Sequence, residues 1–461
     1  MSRRDRQWSQ KQEGAFVPTA NGQHRPILLK IRSSIYFLGF TVFMGLFTDM
    51  AVYGIIVPVV PFHLRELGYG DVSALTGWLV AVSFSLGPLL LSIPAGPLGE
   101  RLEGRRAALS VCAIVLIGGL VMFMYADRYW LLVLARLIQG IAGIGIWVFG
   151  PGLLSDSSEP ENIGKVMGIA ITGFSVGSVS GPVLGGTLFD AAGYKAPFYL
   201  ALGLCVLDVL CRMSIMEHRQ AFKWIVPVGR KASSVHQVFQ AKPKVPFLTS
   251  CRGMLRCLQS PRILTVSYMS FTKGFMFGGM LDASLTLYLN SRYGLNSGGA
   301  GLVFIAAVAP AFVASPLGGW GVDKYGPKKV CLTTAACTIP TTILLVVPQL
   351  PLAGFVVCLA ASGCFASAFL IPGFTEMDEA GQNVPDASKT STFALFNVFF
   401  NLGCFLGPII AGQVLHAVGI EKGWQVVIGI ICALFLFTLP GIWLHIGGYR
   451  GSFGRKAAES R

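Results

Sequence analysis

Apolar runs recur along the whole chain, each close to the roughly 20 residues that a helix needs to cross a bilayer, and short polar or Gly/Pro-rich breaks separate them. Twelve such spans can be marked, at approximately 35–61, 75–98, 107–125, 130–153, 166–188, 198–216, 263–289, 299–319, 330–348, 352–374, 391–415 and 424–446. They are apolar on every face and rich in Leu, Ile, Val, Gly and Ala. Strands of a membrane barrel would instead alternate in polarity over segments of about ten residues, so the pattern predicts helices. The division is six spans, a long basic stretch, then six more. It predicts an all-α integral membrane protein with a polar tail over 1–34, a six-helix bundle over 35–216, a basic linker over 217–262, a second bundle over 263–446 and a short tail over 447–461.

Composition agrees. Of the 461 residues 53% are hydrophobic and 13% charged, where a soluble globular protein carries roughly 25% charge. A soluble enzyme is excluded. The net charge of +14 is unevenly spread: Lys and Arg outnumber Asp and Glu by 7 to 2 in residues 1–33, by 9 to 1 in 217–262 and by 4 to 1 in 448–461. Cations confined to the termini and one long loop mark segments kept in the cytoplasm, not a nucleic-acid footprint. Both termini and the linker are therefore expected on the cytoplasmic side, which suits an even number of spans. No apolar run opens the chain, so no cleavable signal peptide is expected and the Arg-rich start reads as a disordered tail. The 11 cysteines lie in apolar spans or the basic stretch; their odd number and spacing favour reduced thiols over disulfides or a metal site. No phosphate-binding loop, nucleophile elbow or zinc motif is present, so no cofactor or metal is expected and transport energy would come from an ion gradient or the solute's own gradient.

The two halves repeat. Gly96-Pro97-Leu98-Gly99-Glu100-Arg101 with Arg105 and Arg106, between spans 2 and 3, matches Gly319-Trp320-Gly321-Val322-Asp323-Lys324 with Lys328 and Lys329, between spans 8 and 9, at an offset of 223. Gly177, Gly181, Pro182, Gly185 and Gly186 in span 5 match Gly403, Gly407, Pro408 and Gly412 in span 11 at an offset of 226. Such a parallel repeat relates the halves by an axis along the membrane normal. Adding the offset of 223 to 226 to Asp49 in span 1 lands on residues 272–275 of span 7, which include Lys273. A lone charge inside a span costs about 3 kcal/mol, so Lys273 is expected to pair with Asp49 or with Asp282, or else to bind carbonyls.

These motifs resemble the major facilitator superfamily of transporters over nearly the full length. The loop pattern G-x-L-x-(D/E)-R-x-x-x-R-R is a specific signature of that family; here the first copy carries Glu100 for the usual Asp, and the second carries Gly321 for Leu and lysines for arginines. The resemblance implies two pseudo-symmetric six-helix bundles working by alternating access. It also implies an inner gate built from Gly96, Glu100, Arg101, Arg105 and Arg106 on one side and Gly319, Asp323, Lys324, Lys328 and Lys329 on the other, with acids such as Glu376 and Glu379 in a neighbouring loop. In span 4, Arg136-x-x-Gln139-Gly140 resembles the family's proton-linked motif, though carbonyls could equally satisfy the arginine. The glycines and Pro182 of span 5 resemble the antiporter motif, and packing alone could also account for them. Asp49-x8-Pro58-x2-Pro61 and Met280-Leu281-Asp282 resemble the twelve-span drug:proton antiporter and vesicular amine transporter branch, of fungal type. Where that branch keeps acids in spans 10 and 11, this chain has Ser367 and Asn397.

The expected function is proton-coupled export of a small amphiphilic organic compound by a monomeric, non-enzymatic antiporter of the plasma, vacuolar or vesicular membrane. Asp49, Arg136, Lys273, Asp282 and Asn397 are its expected coupling and substrate residues. Its partners would be the solute, protons and the bilayer, with no nucleic acid. A facilitator or symporter for an organic acid, using Arg136 and Lys273 as anion partners, is the main alternative; a non-transporting membrane sensor is a remote one. The pair Asp208 and Arg212, one turn apart in span 6, reads as locally self-neutralising.

Overall fold

A computed structural model describes residues 29–81, 105–157, 163–216, 255–381 and 389–447, with the isolated positions 86, 87, 89 and 384. The expected tails, most of the basic linker, and Gly96, Glu100 and Arg101 of the first gate motif lie outside the described residues. Within them the chain is helical and contains no strand. Among the described residues, nine helices are long and apolar enough to cross a membrane. Of the remaining expected spans, 5 and 7 are helical, and span 2 is described only in part. Span 2 is described as one helix only over Val72–Ala81, span 5 (Ile163–Ala192) is diluted by glycine and serine, and span 7 carries Lys273 among Ser and Thr residues.

Helices overrun the apolar stretches that announced them, because hydrogen bonding continues past the polar boundary. Span 4 covers Tyr129–Ser157, span 10 continues through Ile371–Gly381, and span 11 covers Lys389–Val418. Span 1 instead stops at Ile56 and resumes as Val60–Glu66. Pro58 cannot donate a helical bond, while Pro61 sits in the first turn of the second piece, where no such donor is needed. In span 7 the helix Pro261–Phe275 passes into a π-helical stretch, Met276–Leu285, before Thr286–Tyr293 closes on Gly294 at φ 65°. The wider turns rotate everything beyond Phe275 relative to a regular helix.

Glycines set how closely the spans approach. A methyl group added at Gly173, Gly177, Gly181 or Gly185 of span 5 would lie 2.3, 2.5, 2.9 or 2.1 Å from the carbonyl oxygens of Phe43, Phe47, Ala51 and Ile55 of span 1. Four contacts at four-residue steps on both helices make one continuous seam. The C-terminal half repeats it: Gly403 and Gly407 of span 11 press on the carbonyls of Phe271 and Phe275 in span 7, at 2.2 and 2.7 Å.

The halves meet across spans 5 and 8 and spans 2 and 11. A methyl at Gly186 would lie 2.2 Å from the Ser297 carbonyl oxygen, and one at Gly77 would lie 2.3 Å from that of Pro408. Among the described residues, the hydrogen bonds and ion pairs that join the halves run from mid-depth to the face opposite Leu29 and Gly447, the first and last of them, here the far face. There Arg65 donates to Asn290 (2.8 Å), Ser297 Oγ to the Pro58 carbonyl (3.0 Å) and the Gly298 N–H to Asp190 (2.6 Å), while His416 lies 3.5 Å from Asp71. The far face is closed.

Candidate functional site

The site is built where span 1 crosses span 7. Tyr53, one turn after Asp49 on span 1, donates its hydroxyl to Asp282 Oδ2 at 2.5 Å. This bond joins the two halves. Asp282 sits in the π-helical stretch, whose glycines bring it against span 11: a methyl at Gly278 would be 2.9 Å from the Cys404 carbonyl oxygen. Behind Tyr53, the Arg136 guanidinium of span 4 lies over the tyrosine ring, 5.7 Å from its centre, and over Phe123 at 5.2 Å. Arg136 Nη1 donates to Gln139 Oε1 at 3.2 Å, while its Nε and Nη2 have no hydrogen-bond partner. Arg136 is 1% exposed and Asp282 4%. A charged group so deep with donors unused is costly, and such groups mark solute or ion pathways. A cavity beside Tyr53 and Asp282 is lined by Ser178, Pro182, Phe277 and Phe304.

Asp49 lies in a separate pocket of the N-terminal half. Its Oδ2 accepts from Trp147 Nε1 at 3.0 Å, and Trp147 meets Phe174 edge-to-face at 5.3 Å. Gly143 leaves room for the carboxylate, since a methyl there would be 2.8 Å from Oδ1. One turn along span 1, Gly45 likewise leaves room for Arg212, whose Nη2 a methyl would approach to 2.9 Å. Arg212 grips Asp208 through Nη2 (2.6 Å) and Nε (2.9 Å), and its Nη1 donates to the Leu109 carbonyl (2.7 Å). The i,i+4 pair is local, as its spacing suggests.

The expected partnership of Lys273 is not formed. Asp49 is held by Trp147 and Asp282 by Tyr53, and partly buried Lys273 makes no hydrogen bond or ion pair with another described residue. Equivalence in the repeat placed Asp49 and Lys273 at corresponding positions without turning them toward each other. Asn397 is exposed, and its backbone carbonyl accepts from Asn401 Nδ2.

Several of the gate residues make contacts within their own half. Lys324 lies over Trp320 and Tyr325, at 4.7 and 5.3 Å, and Lys328 over Trp443 at 4.6 Å. Arg106 donates to the Met213 carbonyl within its own half. Glu376 and Glu379 bind Arg262 at the start of span 7, again within one half. The Asp323 side chain lies outside what is described; Gly319 and Lys329 lie near it at the same end.

Tyr53 and Trp147 complete the acids of the site. Tyr53 went unread, although its i+4 spacing from Asp49 puts both on one face of span 1. Trp147 carries no sequence signal that separates it from the other aromatics of the apolar spans.

Two helical bundles that enclose buried, mid-depth ionisable groups and share a hydrogen bond across their interface define a multi-pass membrane transporter. The chain belongs to the Major Facilitator Superfamily, whose family model matches residues 42–375 and, in a second match, 274–452. It is a transporter and not an enzyme. It is 27% identical over 445 residues to the MFS-type transporter ppzB of Metarhizium rileyi, covering 84% of this chain and 91% of that protein. It is 25% identical over 307 residues to the multidrug resistance protein MdtG of Proteus mirabilis, covering 65% and 70%. A bacterial homolog of the human lysosomal transporter Spinster, solved inward-facing and unoccupied, superposes with a TM-score of 0.69 at 14% identity, over 89% of this chain and 98% of that one.

Proposed function

We propose that the protein is a proton-coupled antiporter that exports a small amphiphilic organic compound, such as a drug, toxin or secondary metabolite, by alternating access. The observation that carries this reading is the Tyr53–Asp282 bond across the interface. A carboxyl group there changes what it offers the opposite half each time it gains or loses a proton, which is how a proton can bias two arrangements of the halves. Asp49, with its single indole donor, is the second exchanging acid. Similarity to a protein named for multidrug resistance supports an amphiphilic solute. With the basic termini and linker in the cytoplasm of a plasma, vacuolar or vesicular membrane, the closed far face corresponds to an inward-open monomer awaiting its solute.

A second reading, transport of an organic acid, draws on the unpaired Nε and Nη2 of Arg136 and on Lys273, which together would suit an anionic group. Proteoliposomes with an imposed pH gradient separate the two when loaded with a lipophilic fluorescent cation or with a lipophilic fluorescent anion. Gradient-driven exchange of the cation, abolished by a protonophore and by Asp282→Asn, is expected. Flux that ignores the pH gradient refutes proton antiport; preference for the anion selects the second reading.

A further inference from the structure

Arg136 and Asp282 carry opposite charges, are both almost fully buried, and share one neighbour, yet they form no ion pair with each other. That neighbour is Tyr53, which touches both. Its hydroxyl bonds Asp282 Oδ2 in the plane of the ring, and the guanidinium lies over the face of the same ring. Two of the three guanidinium nitrogens are left without acceptors. A bare guanidinium near a carboxylate in a low-dielectric interior closes the gap unless something fills it.

We propose that Tyr53 is a positioning residue that keeps Arg136 and Asp282 apart, its ring filling the gap while its hydroxyl substitutes for the arginine at the carboxyl group. The inference deepens the reading of Asp282 as a proton-exchanging acid and rests on it. Its physical content is a sign change. Removing only the hydroxyl takes a donor from the carboxylate and favours the protonated acid. Removing the whole ring lets Arg136 reach the carboxylate, a stronger partner than the phenol, and favours the ionised form.

Other groups around Asp282 do not predict that reversal. Lys273 lies on the same span, Cys404 on span 11, and Asp49 one turn before Tyr53 on span 1. Span 8 carries no ionisable side chain before Asp323, and the described helix of span 2 carries none. On span 12 the only one between Lys422 and His445 is Cys432, whose thiol is turned to the Ile339 carbonyl. None of these is altered by either substitution.

The test needs no substrate. Infrared spectra of the purified protein in lipid nanodiscs, titrated over pH, report the carboxylic C=O band that Asp282→Asn abolishes. Tyr53→Phe is expected to raise the midpoint of that band by about one pH unit, a tenfold gain in proton affinity. Tyr53→Ala is expected to lower it by a similar amount, and adding Arg136→Gln to Tyr53→Ala should bring it back above wild type. Tyr53→Ser replaces the alanine variant if thermal denaturation shows the latter unfolded. An unmoved midpoint in Tyr53→Phe, or shifts of one sign in both variants, overturns the role of Tyr53. Opposite shifts in a protein whose vesicle flux ignores a pH gradient would uphold Tyr53 and refute proton antiport instead.

Discussion

Gly185 and Gly186 are adjacent, chemically identical, and face different neighbours, so replacing each with alanine separates folding from conformational balance. At Gly185 the new methyl would lie 2.1 Å from the Ile55 carbonyl oxygen, inside the span 1–span 5 seam of one half. At Gly186 it would lie 2.2 Å from the Ser297 carbonyl oxygen and 3.0 Å from Gly298 Cα, across the interface. Both collisions are with backbone, which cannot swing aside as a side chain would. Overpacking of this kind costs about 1–3 kcal/mol. At Gly185 the cost falls on every arrangement of the halves, because the seam belongs to one bundle, and appears as lost thermal stability. At Gly186 it falls only on the arrangement with the far face closed, and a bias of about 1–3 kcal/mol moves a two-state population about 5- to 150-fold. Single cysteines placed at the far end of the cavity and labelled with a membrane-impermeant maleimide read this directly. Gly186→Ala should label severalfold faster with little change in melting temperature; Gly185→Ala should melt earlier with little change in labelling. Equal labelling by the two variants would refute the assignment of the two glycines to different interfaces.

The far-face clamp has a polar part as well: Asp190→Ala removes the acceptor of the Gly298 N–H at the start of span 8, worth about 0.5–1 kcal/mol, and should raise far-face labelling twofold to fivefold in the same assay. Arg262→Gln leaves the almost fully buried Glu376 uncompensated and should destabilise the C-terminal half by about 3–5 kcal/mol, with most of the loss recovered in the double variant Arg262→Gln, Glu376→Gln; denaturation in detergent measures both.

The spans were legible because burial in lipid demands apolar residues over a fixed length, a constraint that every span signals locally. The seams were legible for a related reason. Glycines at four-residue steps in spans 5 and 11 announce close helix approach, and the steps match carbonyls at four-residue intervals on spans 1 and 7. What could not be read was rotation. The side of span 7 on which Asp282 emerges depends on a π-helical stretch of ten residues, and nothing in Met276–Leu285 distinguishes it from an ordinary apolar helix. The repeat offset brought Lys273 into register with Asp49, but register along two helices leaves open which way each side chain faces. Asp49 faces span 4, where Gly143 and Trp147 receive it.

That rotation also decides how the buried charges combine. The spans carry three acids, Asp49, Asp208 and Asp282, and three bases, Arg136, Arg212 and Lys273, enough for three ion pairs. Only Asp208 and Arg212 are joined. If stability alone governed the interior, the other four would be expected to pair or to be replaced by apolar residues, since an unmatched charge in a span costs about 3 kcal/mol. Instead Asp282 is given a phenol and Asp49 an indole, neutral donors that tolerate either protonation state of the acid better than a fixed cation would. An arginine beside each acid would hold it ionised and remove it from proton exchange. On the proton-coupled reading proposed above, keeping Arg136 one ring away, and Lys273 without a fixed partner, leaves both acids free to exchange protons and both cations free to meet a solute.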